Sequence, residues 1–192
     1  MHQTFDTRDG RQLTLRKVCA EDAGQLQNFF AGLTAASRRC RFHGAVNGIS
    51  AAHARRLSQA DARCETAFVV TTADAEVVAE ARYSLTGRCS AEFAIAVGDG
   101  FTGHGLARRL MALLIDSARA AGLRTLQGDV LADNTRMLEL MQRCGFALCP
   151  HPHDHALLRA KFDLSTPQES RGGWWAALLF LLPARSGVLQ AA

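Results

Sequence analysis

The stretch "AVGDGFTGHGLARRLM", residues 96–111, holds two overlapping glycine patterns that would build different proteins. Read from Gly98, the spacing Gly98, Gly100, Gly103 is G-x-G-x-x-G, which between a strand and a helix marks a dinucleotide site. Read from Gly103, the run Gly103, Gly105, Ala107 is a tighter cradle set into the start of the helix itself. What lies on either side separates the two readings.

Upstream, "LTLRKV" (13–18) alternates as a strand does, and "AEDAGQLQNFFAGL" carries Leu26, Phe29, Phe30 and Leu33 at helical spacing. "ISAAHARRL" predicts a short second helix capped by Ser50. "TAFVVTT", "EVVAEARYSL" and "SAEFAIAV" are β-rich runs joined by the turn-like "ADA" and "TGRC", which predicts an antiparallel meander ending at the glycines. Downstream, Leu106, Leu110, Leu113, Leu114, Ser117 and Ala121 recur on one helical face, with Arg108, Asp116 and Arg119 opposite and Gly122 placed to stop the helix. "RTLQGDVL" reads as a strand, "NTRMLELMQRC" as a helix between Asn134 and Gly145, and "ALLRAKFDL" as a closing strand. The predicted order is β-α-α-β-β-β-α-β-α-β, a mixed α/β sheet without internal repeats.

That order argues against a dinucleotide fold, whose fingerprint belongs in the first βαβ unit with an acidic residue about 20 positions further on. Here three antiparallel strands come first, and Asp129 follows Gly103 by 26 residues. The second cradle has the better physical case. With no Cβ at Gly103 and Gly105 and only a methyl at Ala107, a pyrophosphate can approach the free N–H groups of a helix's first turn, where the macrodipole is positive. Arg108 and Arg109 are expected to add charge beside it.

The 192 residues suit one domain with a real core. A net charge of +4, with arginine frequent and lysine rare, suits phosphate contacts. The one dense cluster, "SRRCRFHG" (37–44), lacks the aromatic interleaving of a nucleic-acid surface, so no nucleic-acid partner is expected. Six cysteines without C-x-x-C pairs, and no secretory leader in "MHQTFDTRDG", predict a reduced, cytoplasmic chain. "HPHDH" (His151, His153, His155 with Asp154) offers crowded ligands and no evident fourth partner, so it reads as a polar hairpin loop and no metal is expected. "WWAALLFLL" (174–182) is nine residues long, too short for a membrane span of about 20. "STPQESRGG" before it reads as a linker, so the expected division is a folded domain over 1–165 and a linker with a short apolar tail over 166–192.

The cradle resembles the central motif of the GNAT acetyltransferase superfamily, Q/R-x-x-G-x-G/A, with Gly105 and Ala107 in the last two defined places and Thr102 where Gln or Arg is usual. "LTLRKVCAEDAGQLQNFFAGLTAASRRCRF" and "AEFAIAV" before it, and "GDVLADNTRMLELMQRCGF" after it, together resemble the catalytic domain of bacterial Pat-type protein lysine acetyltransferases, from about Leu13 to Leu164. The resemblance implies a mostly antiparallel sheet with splayed central parallel strands and flanking helices. It implies acetyl-CoA as co-substrate, its pantetheine arm along the strand that holds Ile95 and Val97. The pyrophosphate would meet the N–H groups of Gly103, His104, Gly105, Leu106, Ala107 and Arg108. Asn134 would hold the pantetheine arm or an ordered water, or cap its own helix. Donors near Val97 would stabilise charge on the thioester oxygen.

A lysine amine of pKa about 10.4 must lose a proton before acyl transfer. Glu92 matches the glutamate that serves as base in the Pat-like group, and it shares a strand face with Ala94 and Ala96, small residues that leave room above the sheet. The residue-level alternative is an exposed strand glutamate paired with Arg82. The superfamily often protonates the departing thiolate with a tyrosine whose place is held here by Met141. Tyr83, the single tyrosine, belongs to an earlier strand. The expected function is acetyl transfer to a protein lysine, with Arg38, Arg39 and Arg41 either facing an acidic partner or lying in a solvated loop. The alternatives are transfer to a small amine, or an acyl-CoA-binding regulatory module without turnover.

Overall fold

The computed structural model describes residues 2–165, so the apolar tail and most of its linker lie outside the described residues. Strands β1 (His2–Asp6) and β2 (Gln12–Lys17) form a hairpin, followed by helices α1 (Ala23–Gly32), α2 (Ala35–Phe42) and α3 (Ala51–Ser58). The meander is β3 (Glu65–Thr72), β4 (Val77–Leu85) and β5 (Ser90–Val97). After it come α4 (Leu106–Ala120), β6 (Thr125–Leu131), α5 (Thr135–Arg143), β7 (Ala147–Pro150) and β8 (Leu157–Asp163). They build one eight-stranded sheet in the order β1-β2-β3-β4-β5-β6-β8-β7. Its neighbouring strands are antiparallel except for β5 and β6.

The predicted α1 stripe is buried as expected, but the buried stripe of α4 is rotated: Leu113 and Ser117 are only partly buried and Ala121 is exposed, while Met111, Ile115 and Ala118 turn inward. Leu106, Leu110, Met111 and Leu114 of α4 are buried against one face of the sheet, with Phe68, Val70, Ala79, Ala81, Phe93 and Ile95. Leu26, Phe29 and Phe30 of α1 pack the other face with Leu57 of α3, Val69 and Ala96. Ser50 caps α3 as expected, accepting from His53 N–H, and Asn134 caps α5 by accepting from Met137 N–H at 3.2 Å. Gly122 and Gly145 follow α4 and α5 with φ of +73° and +88°, the left-handed region that closes a helix.

Three elements escaped the sequence reading. β1 has a single buried residue, Phe5, and β7 is four residues at the sheet edge ending in Pro150. α2, "AASRRCRF", buries nothing. Its arginines lie on a helix rather than in a loop, and the first strand of the chain precedes Leu13. The stretch His151–His155 is the loop of the β7–β8 hairpin, as expected. His151 accepts from His153 N–H through Nδ1 at 3.3 Å and turns Nε2 toward Asp129 at 3.4 Å.

β5 and β6 pair only at Ser90↔Thr125, Ala91↔Leu126 and Glu92↔Gln127. They part where the Phe93 ring lies over Gly128, so close that a Cβ there would sit 2.7 Å from two ring carbons. Phe93 is held in turn by an edge contact with Phe146, centroids 5.3 Å apart.

Candidate active site

The parting of β5 and β6 opens a cavity of about 700 Å³. Its floor is Glu92 to Val97, one wall is α2 (Ser37, Cys40 and Arg41 among others) and the other is α5 with Asn134. Gly98 N–H donates to Val78 O of β4 at 2.8 Å. Backbone groups alternate sides along a strand, so the N–H and C=O of Ile95 and Val97 point away from β4, into the gap that β6 has left. An extended polar arm laid in that gap would complete the ladder.

At the end of β5 the chain makes a short 3-10 turn (Asp99–Phe101) and enters α4 through Gly103 and Gly105, with φ of +82° and +78°. A Cβ at either glycine would meet nothing within 4 Å, so the space in front of the turn is open. Gly105 is the N-cap and supplies no side-chain cap. The first bond of the helix runs from Arg109 N–H to Gly105 O at 3.0 Å, which leaves the N–H groups of Leu106, Ala107 and Arg108 without helical acceptors. These donors, the left-handed glycines and the open space fit a pyrophosphate. Of the expected binding residues, Ile95, Val97, Gly103, Ala107 and Asn134 line the cavity, as does Glu92. His104, Gly105, Leu106 and Arg108 do not line it, although they interleave with Gly103 and Ala107 in the same turn.

Arg109 does not join the cradle as expected. Its guanidinium stacks 4.0 Å above the Phe5 ring, and burial lowers its pKa. The cradle is instead braced by the β1–β2 turn, which the sequence reading did not single out. Arg11 Nη2 donates to Gly100 O at 3.2 Å and lies 3.1 Å from His104 Nε2, while its Cζ sits 4.2 Å from the Phe101 centroid. Asp9 binds Arg11 in turn, and that hydrogen bond is the main reason its carboxyl lies well below the usual range.

Glu92 is exposed on the cavity floor. The alternative pairing with Arg82 does not occur. Arg82 is buried between Glu80, with which it shares a short ion pair, and Glu65 at 2.7 Å. Burial opposes its charge, but the two carboxylates raise its pKa regardless. Arg38, Arg39 and Arg41 each have partners within the chain, and Arg39 remains exposed. Arg38 donates to the carbonyls of Ala31, Leu33 and Val46, Arg39 pairs with Asp133 at 2.9 Å, and Arg41 reaches Glu80 at 3.5 Å. Met141 is fully buried in the core and does not line the cavity. Tyr83 is buried too, its hydroxyl accepting from Thr66 at 3.0 Å. Among the described residues no helix is long and apolar enough to cross a membrane.

The sequence profile of the acetyltransferase (GNAT) family matches residues 36–146. An acetyltransferase of Pseudomonas aeruginosa is 33% identical over 152 residues, covering 76% of this chain and 81% of that protein. The acetyltransferase Pat of Mycolicibacterium smegmatis is 39% identical over 71 residues, which are 36% of this chain and 21% of the longer relative. Among solved structures, the GNAT domain of S. lividans PAT superposes with a TM-score of 0.77 at 24% identity, covering 84% of this chain and 96% of that one. A cAMP-binding acyltransferase from Mycobacterium smegmatis does so at 0.60 and 24% identity, and the chain spans 49% of its length. A family match over more than half of the residues, on a sheet that parts beside a glycine cradle, places the chain in the GNAT acetyltransferase family.

Proposed function

We propose that the chain transfers the acetyl group of acetyl-CoA to an amine, and that the acceptor is a protein lysine. The observation that carries the transfer chemistry is the cavity that brings together the free strand donors at Ile95 and Val97, the carboxylate of Glu92 on its floor, and Gly103 and Ala107 of the adjoining helix-start cradle. The likeness to proteins called Pat supports the choice of lysine.

Acetyl-CoA supplies an acyl carbon activated as a thioester. The first turn of α4 binds its pyrophosphate, the backbone of Ile95 and Val97 aligns the pantetheine arm, and N–H donors near Val97 meet the carbonyl oxygen as it gains charge. Ala94 and Ala96, each without a long side chain, leave room for the incoming amine, and the Glu92 carboxylate takes its proton. With Met141 buried, no phenol at that position donates to the departing sulfur. A thiol of pKa about 8.5 leaves as thiolate without one.

Glu92→Gln keeps the shape of the side chain and removes the base, so kcat should fall by about 10² to 10⁴ with acetyl-CoA affinity nearly unchanged. Wild-type kcat in this variant at pH 7 would remove Glu92 from the chemistry. The acceptor is tested by incubating the enzyme with acetyl-CoA and cell lysate and mapping new acetyl-lysines by mass spectrometry. Turnover on free polyamines or amino acids with no new protein acetylation would move the assignment to a small amine, and acetyl-CoA binding without turnover would make the chain a sensor.

A further inference from the structure

α2 forms a wall of the cavity, yet none of its eight residues is buried. Apolar packing holds α2 only at its last residue, Phe42, which lies against the α1 cluster. The other ties are polar. Asp99, in the turn between β5 and the cradle, accepts hydrogen bonds from Thr34 N–H at 2.9 Å, the Thr34 hydroxyl at 3.1 Å and the Ser37 hydroxyl at 2.6 Å. Burial alone would raise its pKa, but these donors keep its carboxyl below the ordinary value. The position suits an anion, because the first turn of α2 presents free N–H groups and the positive end of its dipole. Across the cleft, Arg39 of α2 holds Asp133, next to Asn134. Near its end the helix adds the looser Arg41–Glu80 pair and the Phe42 ring, 5.3 Å from Phe30.

Asp99 begins the turn that ends in Gly103 and Gly105, and its own backbone is fixed, since Gly98 N–H binds Val78 O and Phe101 N–H binds Gly98 O, each at 2.8 Å. One short segment thus carries the cradle at one end and the fastening of α2 at the other. We propose that Asp99 is a positioning residue for the acceptor: it couples the cradle to the α2 wall, so that filling the cradle sets the wall against which the amine binds. The proposal rests on the reading above, that the amine enters beside α2 over Ala94 and Ala96. It makes acetyl-CoA and the acceptor bind with positive coupling through the Asp99 contact at the edge of the α2 wall.

Cys40 reports on the wall without any turnover, because it lies on α2, lines the cavity and is half-buried. The experiment compares wild type with Asp99→Ala and Asp99→Asn, each without and with saturating CoA, and follows iodoacetamide alkylation of the Cys40 peptide by mass spectrometry; CoA should slow the wild-type rate and leave that of Asp99→Ala nearly unchanged. With CoA bound, Cys40 of Asp99→Ala should be alkylated about tenfold faster than in wild type and the acceptor KM should rise about tenfold, the effect of losing one charge-assisted tie. The Kd for CoA by calorimetry should stay within about twofold, since the cradle donors remain. Asp99→Asn keeps an oxygen for Thr34 N–H and should fall between.

A wild-type Cys40 rate that CoA does not slow, or the same rate in Asp99→Ala as in wild type, would overturn the proposal. So would a Kd for CoA that weakens as much as the acceptor KM, because Asp99 would then serve the cradle alone. If Asp99→Ala does not fold, the double variant Thr34→Val, Ser37→Ala removes the same hydroxyl donors from the other side and is read in the same way. If wild type acetylates no amine, the proposed function fails, while the Cys40 measurement still decides the coupling.

Discussion

Replacing Gly128 by alanine tests the close packing of Phe93 at the point where β5 and β6 part. An added Cβ would lie 2.7 Å from Cε1 and Cζ of Phe93 and 2.9 Å from Cδ1, whereas carbon atoms rest about 3.5 to 4.0 Å apart. The ring must therefore retreat by roughly 1 Å. It has little freedom to do so, being 6% exposed and set edge-on against Phe146, which packs in turn on Phe162. Overpacking of this kind costs about 1 to 3 kcal/mol. Glycine-to-alanine substitution returns about 0.4 to 1 kcal/mol through the unfolded chain, so the net loss should be about 1 to 2 kcal/mol. For a folded unit of this size that lowers Tm by about 2 to 8 °C, which thermal unfolding followed by circular dichroism resolves. Phe93→Leu in the same chain should relieve the clash, so the double variant should be more stable than the sum of the two single losses by about 1 kcal/mol. A Gly128→Ala protein that melts at or above the wild-type temperature, or strict additivity in the cycle, would refute this close contact between Phe93 and Gly128.

Gly105→Val forces a β-branched residue to a φ of +78° in front of the cradle; acetyl-CoA binding should be lost in calorimetry while circular dichroism shows a folded domain. Arg82→Ala strands the fully buried Glu80 with only the distant Arg41, and should cost about 3 to 5 kcal/mol in urea unfolding, whereas Arg82→Met with Glu80→Leu should recover most of that loss. Asp22 is nearly buried: desolvation pushes its pKa up, but the bidentate Arg16 contact (2.6 and 2.7 Å) and Cys19 N–H win and hold it below the ordinary value. Its stabilisation is therefore complete above the unfolded pKa of about 3.9 and fades as pH falls through the lower folded value, so Asp22→Asn should flatten the stability profile below about pH 4. An unchanged slope there would assign the acid sensitivity to other carboxylates.

Periodicity made the large elements legible. α4 carries six buried positions on one stripe, and the meander strands are long and β-rich, so both announce themselves within ten residues. The elements that were missed have little to bury. α2 offers arginines in place of a stripe, and its helix is held by Asp99, Asp133 and Glu80, residues 39 to 94 positions away in sequence that no local pattern could point to. The same distance effect hid the role of Arg11, which meets His104 from 93 positions away. The glycine cradle was legible because its requirement is local: a left-handed backbone and absent side chains are written in the residues themselves. Arg109 was misjudged for the complementary reason, since adjacency to the cradle says nothing about the Phe5 ring that claims its guanidinium.

The identity of the base also turns on long-range partners rather than on sequence position. The cavity and its margin hold several carboxylates, and a general base needs one with a lone pair free to accept a proton. Asp129 lines the cavity but is bound at 2.9 and 3.2 Å by Arg159 and faced by His151, so taking a proton there would break a bidentate pair. Glu139 is held by Arg143 at 3.1 Å, Asp133 by Arg39, and Glu80 is buried between Arg82 and Arg41. Each of these carboxylates is tied by an arginine. Glu92 forms no ion pair among the described residues; its charge reaches Arg159 only as a minor contribution to that guanidinium's raised pKa. It stands on the same face of β5 as Ala94 and Ala96, three residues before Ile95, whose backbone, like that of Val97, faces the gap with β6. On the proposed reading, availability rather than acidity favours Glu92: arginines hold the neighbouring carboxylates, and Glu92 has no such partner among the described residues.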